Sequence, residues 1–337
     1  METPQNMDER AREAALACDR LLGRQAVGWE DPGGQRRKST RLFLPDRSVI
    51  ATRRSSSERA RLEVSVLRRL HGEGAAVPAV LAFDGRWLIQ EDLPGERLSR
   101  ALRRAGKEEA FALQEKALAS LDAIHRAAHR AGLAPLCFRI GGGAGWIEGL
   151  AETPGKLGAF LGLPAPEIDG KAVARVLDRP LASFVKWDAR PPNAVLGPDG
   201  SVSWFDWEHC GTRNRLDDIV WFLCDESIID RPGDELRLLR RWLPRFDEGG
   251  YPAGAADYAT TMGALHCAVR LSLQVGDAAR EERPADWRES LMGSGPAALP
   301  TSGRRLARRG ARWADRSSVL APLGLWFRAV LERFSPA

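Results

Sequence analysis

The stretch that most constrains this chain runs from Phe184 to Glu208, FVKWDARPPNAVLGPDGSVSWFDWE. Asn193 to Gly197 and Ser201 to Asp206 read as strands on either side of Pro198-Asp199-Gly200. That triplet turns for a physical reason: Pro presets φ, Asp bonds its own backbone, and Gly accepts φ > 0. A turn centred on Asp199 sets Asn193 opposite Phe205 or Asp206, and such neighbours sit roughly 5 Å apart at Cβ. Asp188 precedes Asn193 in a loop where Pro191-Pro192 forbid helix and donate no N–H. Three oxygen-bearing side chains therefore converge at one rim.

Hard oxygen donors in this arrangement suit Mg²⁺, which keeps several waters and completes its octahedron with substrate phosphates. A carboxylate left unliganded beside them can accept a proton from a hydroxyl. Asp188 and Asn193 in a D-x-x-x-x-N spacing, the hairpin, and Asp206-Trp207-Glu208 together resemble the catalytic loop and metal aspartate of the aminoglycoside phosphotransferase and choline kinase-like family, relatives of protein kinases. The likeness extends through Leu216-Asp217-Asp218-Ile219-Val220 and covers residues 186–220 densely. Where the family usually has His-Gly-Asp, this chain has Lys186-Trp187-Asp188, so a large residue precedes the aspartate.

The resemblance implies roles. Asp188 would orient and deprotonate an acceptor hydroxyl, Asn193 and Asp206 would hold Mg²⁺, and Asp218 would brace the catalytic loop. Arg190 occupies a place from which a cation can reach the transferring γ-phosphoryl group; the alternative is a salt bridge that only fixes the loop.

Composition bounds the rest. A chain of 337 residues, 44% of them hydrophobic, can bury a substantial core and form two lobes. No apolar run approaches the ~20 residues of a membrane span, and the polar start METPQNMDERAREAAL is unlike a signal peptide, so the expected setting is the cytoplasm. Five cysteines without C-x-x-C spacing predict free thiols rather than disulfides or zinc. The net charge of +5 is spread along the chain. The basic run RRLARRGAR at 304–312 has few aromatics, which favours a solvated helix face over a nucleic-acid or membrane surface.

In chain order, residues 8–22 predict a helix stopped by Gly23. Trp29 to Gly34 and the hairpin of 40–44 with 48–52 predict strands. Gly33-Gly34 makes only a weak phosphate cradle. In the resembling fold the third strand carries the phosphate-gripping residue, usually Lys and in some members Arg, two positions after a small residue. Ala51 and Arg53 share one face, so Arg53 is selected over Arg54 or Thr52. Its acidic partner falls on Glu63, with Glu58 as rival, in the helix predicted over 57–70. Another hairpin, 80–83 with 86–90, leads into Glu91-Asp92-Leu93-Pro94-Gly95, where the resemblance implies that backbone near Glu91 and Leu93 bonds adenine. Turn chemistry there divides the chain into an N-lobe of 1–90, a hinge of 91–96 and a C-lobe of 97–337. Residues 108–131 predict a long helix whose His125 and His129 could bind metal, although helix packing suits His125 better. The Gly- and Pro-rich 132–180 reads as a variable connection. Helices near 236–243, 258–275 and 320–334 would wall the acceptor side, where Asp225, Glu226, Asp230 and Asp247 are open to a cationic acceptor.

The expectation is an α+β, two-lobed protein kinase-like fold with a small antiparallel-sheet N-lobe and a large, mostly helical C-lobe. It would use ATP and Mg²⁺ to phosphorylate a small aminoglycoside-, choline- or amino alcohol-like molecule, with no nucleic acid or membrane partner. The rival is a pseudokinase, the same fold serving as a nucleotide- or partner-binding module without turnover.

Overall fold

The computed structural model of the chain describes residues 7–32, 39–179, 182–249, 251, 254–281 and 299–334. The Gly33-Gly34 turn lies outside them. Helix α1 spans Glu9–Leu22; Asp8 caps it by accepting from the Ala11 N–H at 2.7 Å, and Gly23 ends it at φ 64°. Strands β1 (Gly28–Glu30), β2 (Ser39–Phe43) and β3 (Ser48–Arg53) follow, then α2 (Ser57–Gly72), β4 (Val80–Phe83) and β5 (Trp87–Glu91). The five strands form one antiparallel sheet in the order β1-β2-β3-β5-β4. One face of that sheet packs on α1: Leu42, Val49, Ala51 and Ile89 bury against Ala11, Ala14, Ala17 and Cys18. Strand alternation then sends Ile50 and Thr52 to the other face, and both line a cleft there.

Beyond Glu91 the chain enters a second body. It comprises β6 (Glu96–Arg97), α3 (Leu98–Arg104), α4 (Lys107–Arg130), α5 (Trp146–Leu161), α6 (Gly170–Leu177), β7 (Ser183–Val185), β8 (Ala194–Leu196), β9 (Val202–Trp204) and β10 (Gly211–Arg213). Helices α7 (Leu216–Leu223), α8 (Pro232–Phe246), α9 (Gly254–Glu281), α10 (Thr301–Ala314) and α11 (Ala321–Arg333) complete it. Two short sheets, β6-β8-β9 and β10-β7, carry the loops between them. Gly95 makes the passage possible: at φ 127°, a Cβ there would sit 2.1 Å from the Leu196 carbonyl oxygen.

Two sequence expectations need correction here. Residues 132–180 are not merely a connection, since they contain α5 and α6; glycine and a buried Pro154 inside α5 hid that helix. The basic run is not a solvated face either. It lies in α10, where Arg309 is 1% exposed and donates to Glu235 and to the carbonyls of Asp225 and Ile228. Arg312 pairs with Asp230 and Glu235. Acids from α8 and the segment before it make these arginines structural.

His125 is a packing residue, its Nε2 2.7 Å from Asp218 Oδ2. All five cysteines are free, and burial pushes the half-buried Cys137 thiol up to about 11. Among the described residues no helix is long and apolar enough to cross a membrane.

Candidate active site

The hairpin forms in the expected register. Ala194 pairs with Trp204 and Leu196 with Val202, and the Phe205 N–H donates to the Asn193 carbonyl at 3.0 Å. Asp199 Oδ1 accepts from the N–H and hydroxyl of Ser201, and Gly200 takes φ 76°, which fixes the turn. Asn193 Nδ2 donates to Asp188 Oδ2 at 2.7 Å and to the Asp188 carbonyl at 3.1 Å. The carboxamide oxygen of Asn193 is its remaining polar atom, and Asn193 lines the cleft together with Asp206.

The loop backbone is unusual. Trp187 has φ 56°, Asp188 φ 31° and Asp206 φ 61°. Aspartate tolerates the left-handed region, but a Trp held there costs about 1–3 kcal/mol. The fully buried Asp218 holds it: the Lys186 N–H donates to Oδ2 and the Trp187 N–H to Oδ1, both at 2.8 Å. The Trp187 ring meets Trp221 edge-on at 4.9 Å and lies 6.2 Å from Trp146.

Beneath the loop lies Lys186, 0% exposed. Its Nζ donates to the Asp206 carbonyl at 3.0 Å, lies 3.4 Å from the Asp188 carbonyl and sits 5.1 Å from the Trp207 ring centroid. Burial drives its pKa below the ordinary lysine value, against the opposing pull of Asp188, Asp206 and Asp218.

Arg53 is not at the site. It is exposed and pairs with Glu13 at 2.8 Å. Arg54 stands in the cleft instead. Its Nε and Nη2 grip the two oxygens of buried Glu63 at 2.8 and 2.5 Å. Its Nη1 reaches Glu208 at 3.0 Å, and its Nη2 is 3.8 Å from Asp206 Oδ1. Burial opposes the charge on Arg54, but the carboxylates of Glu63, Glu208 and Asp206 outweigh it and keep the guanidinium ionised. The correction is one of register, because a slip of one residue exchanges the faces of a strand. Val49 and Ala51 are claimed by α1, so Ile50, Thr52 and then Arg54 face the cleft. The signal was present in the sequence: an amphipathic α1 needs an apolar partner face, and Val49 and Ala51 supply it.

Two substitutions separate these neighbours. Arg53→Ala is expected to change stability by no more than about 0.5–1 kcal/mol, since exposed pairs contribute little. Arg54→Lys, which loses a two-pronged grip on a buried carboxylate, is expected to cost about 1–3 kcal/mol. Urea melts of both variants check the contrast.

Arg190 is also placed differently from a free cation facing phosphate. Its Nε donates to Asp225 at 2.5 Å, its Nη2 to Glu226 at 2.9 Å, and its Nη1 stands 3.8 Å from Asp188 Oδ1. These carboxylates, with Asp188, raise its pKa despite burial. Engaged by two acids, it acts as the salt bridge that positions the loop. Glu226 is shared with Arg270 of α9, at 2.5 and 3.1 Å.

The cleft between the five-stranded sheet and β6-β8-β9 encloses about 630 Å³, and Glu91 and Leu93 line it with Thr52, Arg54, Asn193 and Asp206. A cavity of several hundred Å³ holds a nucleotide-sized ligand. The Glu91 N–H is already bonded to the Ala79 carbonyl at 2.9 Å. Among the described residues no three His, Cys, Asp or Glu side chains cluster as a metal cage. Two lining residues, Asp206 and Asn193, bring a carboxylate and a carboxamide, donors of the kind that fit a Mg²⁺ taking its other ligands from phosphate and water.

Comparison with known proteins agrees with this geometry. No curated protein matches the sequence. Among solved structures, the chain resembles a candidate aminoglycoside phosphotransferase of Ralstonia eutropha JMP134 at 16% identity and TM-score 0.58, covering 94% of this chain and 98% of that one. Choline kinase LicA of Streptococcus pneumoniae aligns at 14% identity and TM-score 0.53, over 90% and 100% of the two chains. Amicoumacin kinase hAmiN, solved with AMP-PNP and Ca²⁺, aligns at 14% and TM-score 0.57, over 90% and 91%. At these identities the likeness shows a two-lobed, protein kinase-like fold. The sequence profile of the phosphotransferase enzyme family, APH, matches residues 37–256, and the chain belongs to that family.

Proposed function

We propose that the chain transfers the γ-phosphoryl group of ATP to a hydroxyl of a small molecule in the cytoplasm. The observation that carries this reading is the 2.7 Å bond from Asn193 Nδ2 to Asp188 Oδ2, with Asn193 itself lining a cleft that also holds Asp206 and Arg54. With Oδ2 tied to Asn193, Oδ1 of Asp188 is the atom that accepts the acceptor proton. As that proton leaves, the acceptor oxygen bonds to the γ-phosphorus and the bond to the β,γ-bridging oxygen breaks. Asn193 Oδ1 and Asp206 would hold Mg²⁺, which when bound neutralises charge on the phosphate oxygens. Arg54, held by Glu63 and Glu208, would bring the charge of its guanidinium close to the phosphates. Backbone near Glu91 and Leu93 faces the base, with residues 91–96 as hinge between the lobes of 1–90 and 97–337. The nucleotide and divalent ion in the amicoumacin kinase complex support this choice of cofactors.

Melting temperature measured with Mg²⁺ alone, ATP alone and both tests the proposal. A ligand present at 100 times its dissociation constant stabilises by about 2.7 kcal/mol. The expected result is a rise of several degrees that needs both components and is abolished in Asp206→Ala. Absence of any shift at millimolar nucleotide would overturn the reading in favour of a partner-binding module.

A further inference from the structure

A second cavity lies beside the catalytic loop. It encloses about 130 Å³ and is walled by Trp146, Leu150, Trp187, Trp221, Met262 and His266. An apolar cavity of about 150 Å³ accepts one benzene ring. Its polar features are the Asp217 carboxylate and His266 Nε2; the latter is buried and without a hydrogen-bond partner, while the imidazole packs edge-on to Trp221 at 3.7 Å between centroids. Burial, with Arg270 and Arg190 adding to it, pushes the His266 pKa well below the usual value and keeps the ring neutral.

The cavity connects to the chemistry through short steps. Trp187 adjoins Asp188 in the chain. One helical turn beyond His266, Arg270 pairs with Glu226, which pairs with Arg190, itself 3.8 Å from Asp188.

Tryptophan walls can hold organic cations, but two of these rings, Trp146 and Trp187, already face an arginine. The Arg213 guanidinium lies 4.2 Å from the Trp146 ring centroid and 5.5 Å from that of Trp187. The carboxylates around the cavity are likewise matched. Asp217, which also lines the cavity, is ion-paired with Arg213 at 2.6 Å and accepts from the Tyr258 hydroxyl at 2.9 Å, while Asp225 and Glu226 face Arg190 and Arg270. Each of these three acids is thus already matched by an arginine, which leaves none of them to balance the charge of an added cation.

We infer that the phosphate acceptor is an uncharged hydroxylated ring compound, its ring seated in the tryptophan cavity and a ring substituent bonded to His266 Nε2. This rests on the phosphotransferase reading and narrows its acceptor to a class without cationic groups. The acceptor hydroxyl projects from the ring toward Asp188.

Calorimetric titration of the full chain without nucleotide, using 4-hydroxybenzyl alcohol, choline and kanamycin, tests it. 4-Hydroxybenzyl alcohol is expected to bind with one-to-one stoichiometry, with choline and kanamycin at least about tenfold weaker. Val269 also lines the cavity, so Val269→Trp fills it, and His266→Phe keeps a ring against Trp221 while deleting Nε2. Each is expected to weaken the probe at least about tenfold, with folding checked by the Mg²⁺- and ATP-dependent melting shift. The inference is overturned if choline or kanamycin binds as well as the probe, if the probe does not bind, or if both variants bind it unchanged. Should the probe bind and both variants lose it while wild type shows no nucleotide shift, the cavity assignment stands and the phosphotransferase reading falls.

Discussion

Replacing Asp188 by Asn is expected to lower kcat by about 10²–10⁴-fold, the usual contribution of a positioned general base. The substitution is close to isosteric. A carboxamide oxygen at the Oδ2 position still accepts from Asn193 Nδ2, whose bond to Asp188 is 2.7 Å. The Oδ1 position becomes an amino group that cannot take a proton. Fold, melting temperature and the nucleotide-induced shift should therefore stay near wild type while turnover collapses. Steady-state kinetics with a hydroxyl acceptor checks this, and a kcat within threefold of wild type would remove Asp188 from the proton transfer.

Asp218→Ala is expected to destabilise the protein by about 3–5 kcal/mol, the range for breaking a buried, fully engaged charge network. One carboxylate, wholly buried, accepts from the backbone of Lys186 and of Trp187 and contacts His125 Nε2. Without it, the buried Lys186 N–H and the half-buried Trp187 N–H lose their acceptor, and the φ of 56° at Trp187 loses its backbone support. Asp218→Asn supplies one acceptor oxygen in place of two and should fall between wild type and alanine. Urea melts measure both; a loss below about 1 kcal/mol in the alanine variant would show that the loop holds its shape without this brace.

The hairpin of 193–206 was legible because its signals are local: a Pro-Asp-Gly turn between strand-like runs defines its own register. Asp188, Asn193 and Asp206 came with it. Asp218 and Glu63 could be placed only through the family resemblance, since both act on segments far away in sequence. Arg53 was misplaced because strand register is a tertiary property, decided by which face of β3 is covered by α1. The role of Arg190 depended on Asp225 and Glu226, some 35 residues on, and no spacing rule reaches that far. Helices α5 and α6 escaped because glycines and a proline depress local helix propensity, while burial of Leu157, Leu161 and Val173 supplies what propensity withholds. Of the acids proposed for a cationic acceptor, Asp225, Glu226 and Asp230 are paired with arginines distant in sequence, which their own surroundings in the chain do not reveal.

Lys186 has a mechanical consequence. A single ammonium group, with three protons to give, spans the carbonyl of the residue that takes the proton and that of the residue expected to face the metal. Asp206 cannot swing away from the cleft without stripping a buried cation of its acceptor, and stripping it also loosens the turn that presents Asp188. Partial disengagement is therefore the least favourable state available to the pair. The two loops are expected to open together, as the jaws of one latch, and amide exchange should report a common opening for the residues around Asp188 and Asp206.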